Sequence, residues 1–342
     1  MADTVLVTGG SGFIARWIII RLLQSGFRVR ATLRKIEDAA EIKASLAPII
    51  RDLTDLSFVV AELTRDEGWD EVMQGCRYVQ HVASPLRIDG KSTHHEMLQA
   101  AQEGTLRILD AAIKAGVERV VFTSAAATAT PPMESAASSL SDESVWFDPG
   151  ERQVDIYRLS KRRAERSAWD YLAQEGKTSL LTTILPGAVF GPVLTRKNLG
   201  SVQVIDRLLN GKMPATPRLG FEIVDVRDLA RLHVEAMTHD AAAGERFLAV
   251  GEFKWLHDIA LLLRTLPGVK PEKISLRVMP DTIYRLLSLF QPTLKAMRTR
   301  LGKKHLHTSR KANMLFGWEP RSTRETLADC VHSLLVTKGA EK

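Results

Sequence analysis

Two side chains in "VDIYRLSKRRAERSAWDYLAQEG" have the types and spacing for proton transfer. Tyr157 and Lys161 are four residues apart, so on a helix they share a face. A phenol with a pKa of about 10 is a poor acid at neutral pH. A nearby ammonium stabilises the phenolate and lowers that value. Such a tyrosine can protonate a carbonyl oxygen while the carbon accepts hydride, and the lysine can also hold ribose hydroxyls. Taken alone, Y-x-x-x-K usually marks two surface residues. Its weight comes from the glycine loop that precedes it.

That loop is "TGGSGFIA". Gly10-x-Gly12-x-x-Ala15 fits the dinucleotide fingerprint, with Gly9 as a further glycine at the turn. It lies between the strand "TVLVTGG" and the helical "FIARWIIIRLLQSG", the context in which helix N–H groups at Phe13 and Ile14 meet a pyrophosphate. The second strand, "FRVRATLR", runs on into Arg34 and Lys35. NAD-preferring sites carry Asp or Glu there, whereas these cations suit a 2′-phosphate. NADP(H) is therefore the expected cofactor, with Glu37 and Asp38 keeping NAD as the lesser alternative. Glu62 and Leu63, after the third strand, are placed to approach the adenine. Ala83, Ser84 and Pro85, after the fourth, are expected near the nicotinamide ribose.

These residues need a scaffold that delivers them to one edge. The elements alternate: "LSFVVAEL", "DEGWDEVMQG", "RYVQHVASP", "THHEMLQAAQEGTLRILDAAIKAG", "VERVVFTS", then the Tyr–Lys helix and "LLTTILP". Strand and helix in alternation predict an α/β fold, a Rossmann-type doubly wound parallel sheet. After about residue 190 the pattern loosens, with two later helices, "VRDLARLHVEAM" and "STRETLADCVHSLL". We expect an NADP(H)-binding Rossmann core over 1–190 and a smaller C-terminal substrate-binding lobe over 191–342, some of whose segments return to the core.

Composition narrows the function. The 342 residues are 45% hydrophobic and 25% charged, ordinary for a globular protein. The longest early apolar run is broken by Arg16 and Arg21, and no basic leader precedes the first strand. Two distant cysteines, Cys76 and Cys330, give no disulfide framework or zinc spacing, so a cytoplasmic protein without a metal is expected. Much of the net charge of +7 lies in "LKAMRTRLGKKHLHTSRK". No aromatic residues interleave there to stack on bases, so the stretch reads as a solvated face and not a nucleic-acid site. The expected partner is a small-molecule carbonyl compound, with neither nucleic acid nor membrane, for a monomer or homodimer. His81 on a buried strand reads as a core histidine, and the adjacent His94 and His95 cannot share a metal. Trp146 and Phe147 read as packing that pins a loop to the sheet.

In these stretches, and in "EGTLRILDAA", "RVVFTS", "ILPGAVFGPVL", "IVDVRDLARLHVEAM" and "FGWEPRSTRETL", the chain resembles the extended short-chain dehydrogenase/reductases. Within them it resembles the dihydroflavonol reductase, cinnamoyl-CoA reductase and NADPH-dependent aldehyde/ketone reductase group. The resemblance implies an NADPH-dependent carbonyl reductase with Tyr157 as acid and Lys161 as partner. It also implies that Pro186, Gly187 and Val189 line the nicotinamide end, and that Thr123 adjoins it. Leu86, Pro131, Met133 and "GPVLTRKNLG" are the expected substrate contacts beyond the strand ends.

Two positions depart from the group. Arg107 stands where many relatives have Asn. A serine pair normally follows "VVFT", and the second serine bonds the substrate carbonyl; here Ser124 keeps the first place and Ala125 takes the second. Three readings follow. Ser124 or Thr128 supplies the hydroxyl, making Ser124 the third catalytic candidate; or Tyr157 works alone; or the chain is an NADP(H) sensor with little catalysis. An NAD-dependent nucleotide-sugar epimerase or dehydratase is the alternative enzyme, opposed by Arg34 and Lys35.

Overall fold

The computed structural model describes residues 2–84, 94–131, 140–148 and 156–340. The strands are β1 (Thr4–Val7), β2 (Arg28–Leu33), β3 (Leu56–Val60), β4 (Tyr78–His81), β5 (Arg119–Thr123), β6 (Leu140–Ser141), β7 (Leu181–Pro186), β8 (Ala188–Phe190), β9 (Gly220–Asp225), β10 (Arg246–Ala249), β11 (Phe253–Trp255) and β12 (Leu306–His307). The helices are α1 (Phe13–Gln24), α2 (Asp38–Leu46), α3 (Trp69–Met73), α4 (His94–Lys114), α5 (Ile156–Gln174), α6 (Gln203–Leu209), α7 (Val226–Thr238), α8 (Leu256–Arg264), α9 (Asp281–Leu287), α10 (Pro292–Met297), α11 (Arg310–Phe316) and α12 (Thr323–Ala340).

Seven strands form one parallel sheet in the order β3-β2-β1-β4-β5-β7-β10. The order reverses between β1 and β4, where a doubly wound sheet opens a crevice at its carboxyl edge. Both faces of the sheet are covered, which is why its strands are apolar runs without alternation. Val5 and Val7 of β1 pack with α1 and α7, while Leu6 packs with the α4 and α5 layer.

The later chain does two things. α7 packs against α1, and β10 completes the main sheet beside β7. The rest builds a second core around the small sheet β11-β9-β8, covered by α6, α8 and α12. The two-stranded pair β12-β6 ties residues 306–307 to 140–141. These short strands were not foreseen, because two or three residues show no periodicity. Trp318 fastens the last helix to α7: its Nε1 donates to the Asp228 carbonyl at 2.9 Å, and Arg321 N donates to the Asp228 carboxylate at 2.7 Å.

One polar contact joins the elements around the crevice. Glu165 of α5 is fully buried. Its carboxylate accepts from Ser124 Oγ at 2.5 Å, Thr128 Oγ1 at 2.7 Å, Thr183 Oγ1 at 3.1 Å and Arg246 Nε at 2.8 Å. Helix α5, the exit of β5, β7 and β10 thus meet on one side chain. Arg246 lies over the Trp146 ring at 3.7 Å, and Phe147 N donates to the Thr128 carbonyl at 2.7 Å, so the Trp146–Phe147 loop is pinned by packing. Removing one partner of a buried, hydrogen-bonded ion pair leaves the other uncompensated. Glu165→Ala is therefore expected to lower unfolding stability by about 3–5 kcal/mol in urea titration, against about 1 kcal/mol for Thr183→Ala. Equal small losses for both would show that the carboxylate is not the organising contact.

Candidate active site

The glycine loop closes against two strands. Gly9 has φ of +69°, and a Cβ there would lie 3.0 Å from Ala83 Cβ. Gly9 N donates to Thr32 Oγ1 at 3.0 Å and Gly10 N to the Thr32 carbonyl at 2.9 Å. Gly12 is the N-cap of α1, and neither a side-chain cap nor an acidic residue occupies the first turn. The leading N–H groups therefore face the crevice without an internal carboxylate, which fits a pyrophosphate. The Phe13 and Ile14 side chains turn back onto the core. Asn198 Nδ2 donates to the Ser11 carbonyl at 3.4 Å, bringing "GPVLTRKNLG" beside the loop.

Arg34 and Lys35 are exposed just beyond β2, and neither makes an ion pair among the described residues. As exposed cations they fit a phosphate group in charge and geometry. Glu62 lies in an ion pair with Arg65 at 3.6 Å. Leu63 is held from behind by Arg107, whose Nη1 donates to the Leu63 carbonyl at 2.7 Å and whose Nε pairs with Asp66. The departure at Arg107 thus has a structural use: it fixes the β3 exit where Leu63 borders the site.

The β1 and β4 exits are locked by Thr8, which sequence reasoning passed over. Its Oγ1 accepts from Val82 N and Ala83 N, both at 3.0 Å, and pairs with His81 Nδ1 at 3.0 Å. His81 stacks on Phe122 with centroids 5.2 Å apart. Burial, together with the nearby charge of Lys161, pushes the His81 pKa down to about 3, so it is a neutral core histidine.

Leu63, Ala83, Ser84, Phe122, Ser160 and Lys161 line one narrow cleft. Ser160 was not anticipated; its buried hydroxyl makes no hydrogen bond among the described residues. Lys161 Nζ donates to the Thr123 carbonyl at 3.0 Å, one turn inward from Tyr157. Tyr157 is 38% exposed at the open end of α5. Burial pushes the Lys161 pKa down to about 8, and the charge of Glu165 pulls it back up. The Thr123 side chain points the other way, to His233 Nε2 at 3.3 Å.

Ser124 is 2% exposed with its proton directed to Glu165, and Thr128 bonds the same carboxylate. Neither hydroxyl is aimed into the cleft. Ala125 lies between them in extended conformation, φ −158° and ψ 146°, and is buried. Pro186 ends β7, and Gly187 crosses to β8; a Cβ on Gly187 would sit 2.3 Å from the Glu222 carbonyl oxygen, so only glycine fits. Val189 is buried in β8. Pro131 is half-buried just past the β5 exit; Pro85, Leu86 and Met133 lie outside the described residues.

Residues 5–251 match the model of the NAD dependent epimerase/dehydratase family. Dihydroflavonol 4-reductase of Gerbera hybrida is 31% identical over 269 residues, spanning 76% of this chain and 72% of the relative. Cinnamoyl-CoA reductase CAD2 of Medicago truncatula is 30% identical over 280 residues, spanning 80% and 85%. The crystal structure of yeast methylglyoxal/isovaleraldehyde reductase Gre2 complexed with NADPH superposes with a TM-score of 0.79 at 25% identity, over 98% of this chain and 99% of that one. Sequence, strand order and glycine loop agree: the chain belongs to the NAD dependent epimerase/dehydratase family, the extended short-chain dehydrogenase/reductases.

Proposed function

We propose that this chain reduces the carbonyl of a ketone or aldehyde, with Tyr157 as general acid and Lys161 as its electrostatic partner. The chain is an oxidoreductase and its cofactor is NADP(H). The observation that carries the finer reading is Lys161: a buried ammonium fixed to the Thr123 carbonyl, one helical turn below a partly exposed tyrosine. Bound NADPH supplies the hydride. Arg34 and Lys35 pair with the 2′-phosphate, and the α1 N-terminus holds the pyrophosphate. Tyr157 Oη protonates the carbonyl oxygen as the alcohol forms, and the Lys161 charge stabilises the phenolate left behind.

No hydroxyl at position 125 polarises the carbonyl in this proposal. Ser124 and Thr128 serve Glu165, so Tyr157 carries both the hydrogen bond and the proton. Such a site is slower than one with the serine, or acts on an activated carbonyl. The sensor reading would need the Tyr–Lys pair to be idle, and nothing in its geometry favours that.

The test is NADPH oxidation with a panel of aldehydes and ketones, run beside NADH. Turnover with NADPH preferred is expected, with Tyr157→Phe inactive. Tight NADPH binding without any turnover would leave only the sensor, and a preference for NADH would refute the role of Arg34 and Lys35. Ala125→Ser is expected to raise kcat by on the order of 10²; an unchanged rate would mean that another hydroxyl already does this work.

The pH profile has a definite sign. Lys161 must be charged to stabilise a phenolate, and it loses its proton as pH rises through about 8. Reductase kcat is therefore expected to be full below that value and to decline above it. A rate that stays level up to pH about 10, where an unperturbed lysine titrates, would contradict the buried-ammonium account.

A further inference from the structure

The face of α9 is the reverse of an ordinary amphipathic helix. Tyr284 is fully buried, and its hydroxyl donates to the Leu294 carbonyl at 3.1 Å, tying α9 to α10. The opposite face carries Ile283, Leu286, Leu289 and Phe290, which are 48%, 59%, 62% and 78% exposed. Past Leu287 the chain continues as a turn in which Leu289 N and Phe290 N donate to the carbonyls three residues back, so Leu289 and Phe290 extend the exposed side that Ile283 and Leu286 begin. Val278, just before the helix, is 51% exposed. These five are among the fourteen most exposed large apolar side chains of the described residues and lie in one short stretch. A contiguous patch of this kind marks a contact surface.

The surroundings of the patch decide what it contacts. No Asp or Glu occurs from Thr282 through Trp318, while eight Lys and Arg do. That excess exceeds the net charge of the whole chain. Asp281, at the start of α9, is bonded to Arg218 at 2.7 Å. Arg285, Lys295, Arg298 and Lys303 make no ion pair among the described residues. Cations flank both ends of the apolar face: Lys295 on α10 beyond its C-terminal end, and Lys303 beside Gly302, whose N–H donates to the Arg218 carbonyl at 2.7 Å. A second copy of the chain docked through this face would bring two such positive fields together, which opposes association. A nucleic acid would neutralise the cations but leave the apolar side chains uncovered. An interface combining anionic charge with an apolar layer satisfies both.

We infer that this face docks the protein peripherally on an anionic lipid surface, with Leu286, Leu289 and Phe290 entering the headgroup–acyl boundary and the surrounding cations meeting lipid charges. Among the described residues, no helix is long and apolar enough to cross a membrane. The docking stands independently of the proposed chemistry.

The experiment is cosedimentation of the full chain with vesicles of phosphatidylcholine containing about 30% phosphatidylserine, compared with phosphatidylcholine alone. Binding to the anionic vesicles only, weakened by salt, is expected. Leu289→Ser with Phe290→Ser should weaken it on the order of tenfold or more. Lys295→Glu with Lys303→Glu should weaken it by at least about fivefold for each position. The same reversal at the exposed Lys177 and Lys212 should matter little, which separates the patch from net charge. All the changed side chains are exposed, and unchanged thermal unfolding confirms each fold. Binding equal on both vesicles, absent from both, or equally reduced by the control reversal would overturn the proposal. So would a dimer in sedimentation equilibrium that dissolves with the two serine changes, since the face would then be a subunit contact.

Discussion

The buried carboxylate of Glu165 is the contact on which the crevice depends. It gathers two hydroxyls from the β5 exit, one from β7 and the guanidinium of β10, all onto one turn of α5. That fixes how far α5 slides along the sheet. One turn toward its N-terminus, Lys161 then reaches the Thr123 carbonyl; one turn further, Tyr157 emerges at the open edge. A helix with Lys and Glu on its buried stripe would be a poor design unless both charges were answered. Arg246 answers one, and the other sits where desolvation and the Glu165 charge pull on it in opposite directions.

The same arrangement explains the hydroxyl missing at Ala125. In this chain the neighbours on either side are structural: Ser124 and Thr128 direct their side chains to Glu165. Position 125 is the residue that precedes the short turn, and here it carries only a methyl group. In the proposed reaction, Tyr157 and Lys161 would therefore polarise a carbonyl with one hydroxyl donor fewer. His81 and His233, both driven down to about 3 by burial, are neutral fixtures that hold strand exits and do not compete for the proton.

Much of this was legible in the sequence, for identifiable reasons. Glycines whose absent Cβ atoms make room, as at Gly9 against Ala83, leave a fixed spacing. Tyr157 and Lys161 follow helical period, and the βα alternation gives the parallel sheet. Glu165 was not legible: in "KRRAERSAW" it looks like one member of a solvated charge run. Its partners are 18 to 81 positions away in sequence, so no local pattern announces it. Ser160 and Thr8 are likewise ordinary residue types whose roles come only from tertiary contacts. At α9 the sequence misleads in the other direction, because Ile283, Leu286 and Phe290 have the spacing of a buried face and are instead exposed. The basic stretch beginning at Leu294 is solvated, and the proposal above gives its charges a partner.

Buried Lys161 holds its ammonium one helical turn below Tyr157, with its proton affinity depressed by burial. The most direct measurement is carbon-detected NMR titration of the protein labelled at lysine Cε, with the Lys161 resonance assigned by its loss in Lys161→Met. One lysine is expected to titrate with a midpoint of about 8, set apart from the others. A Lys161 resonance that titrates with the rest, at about 10.4, would contradict it.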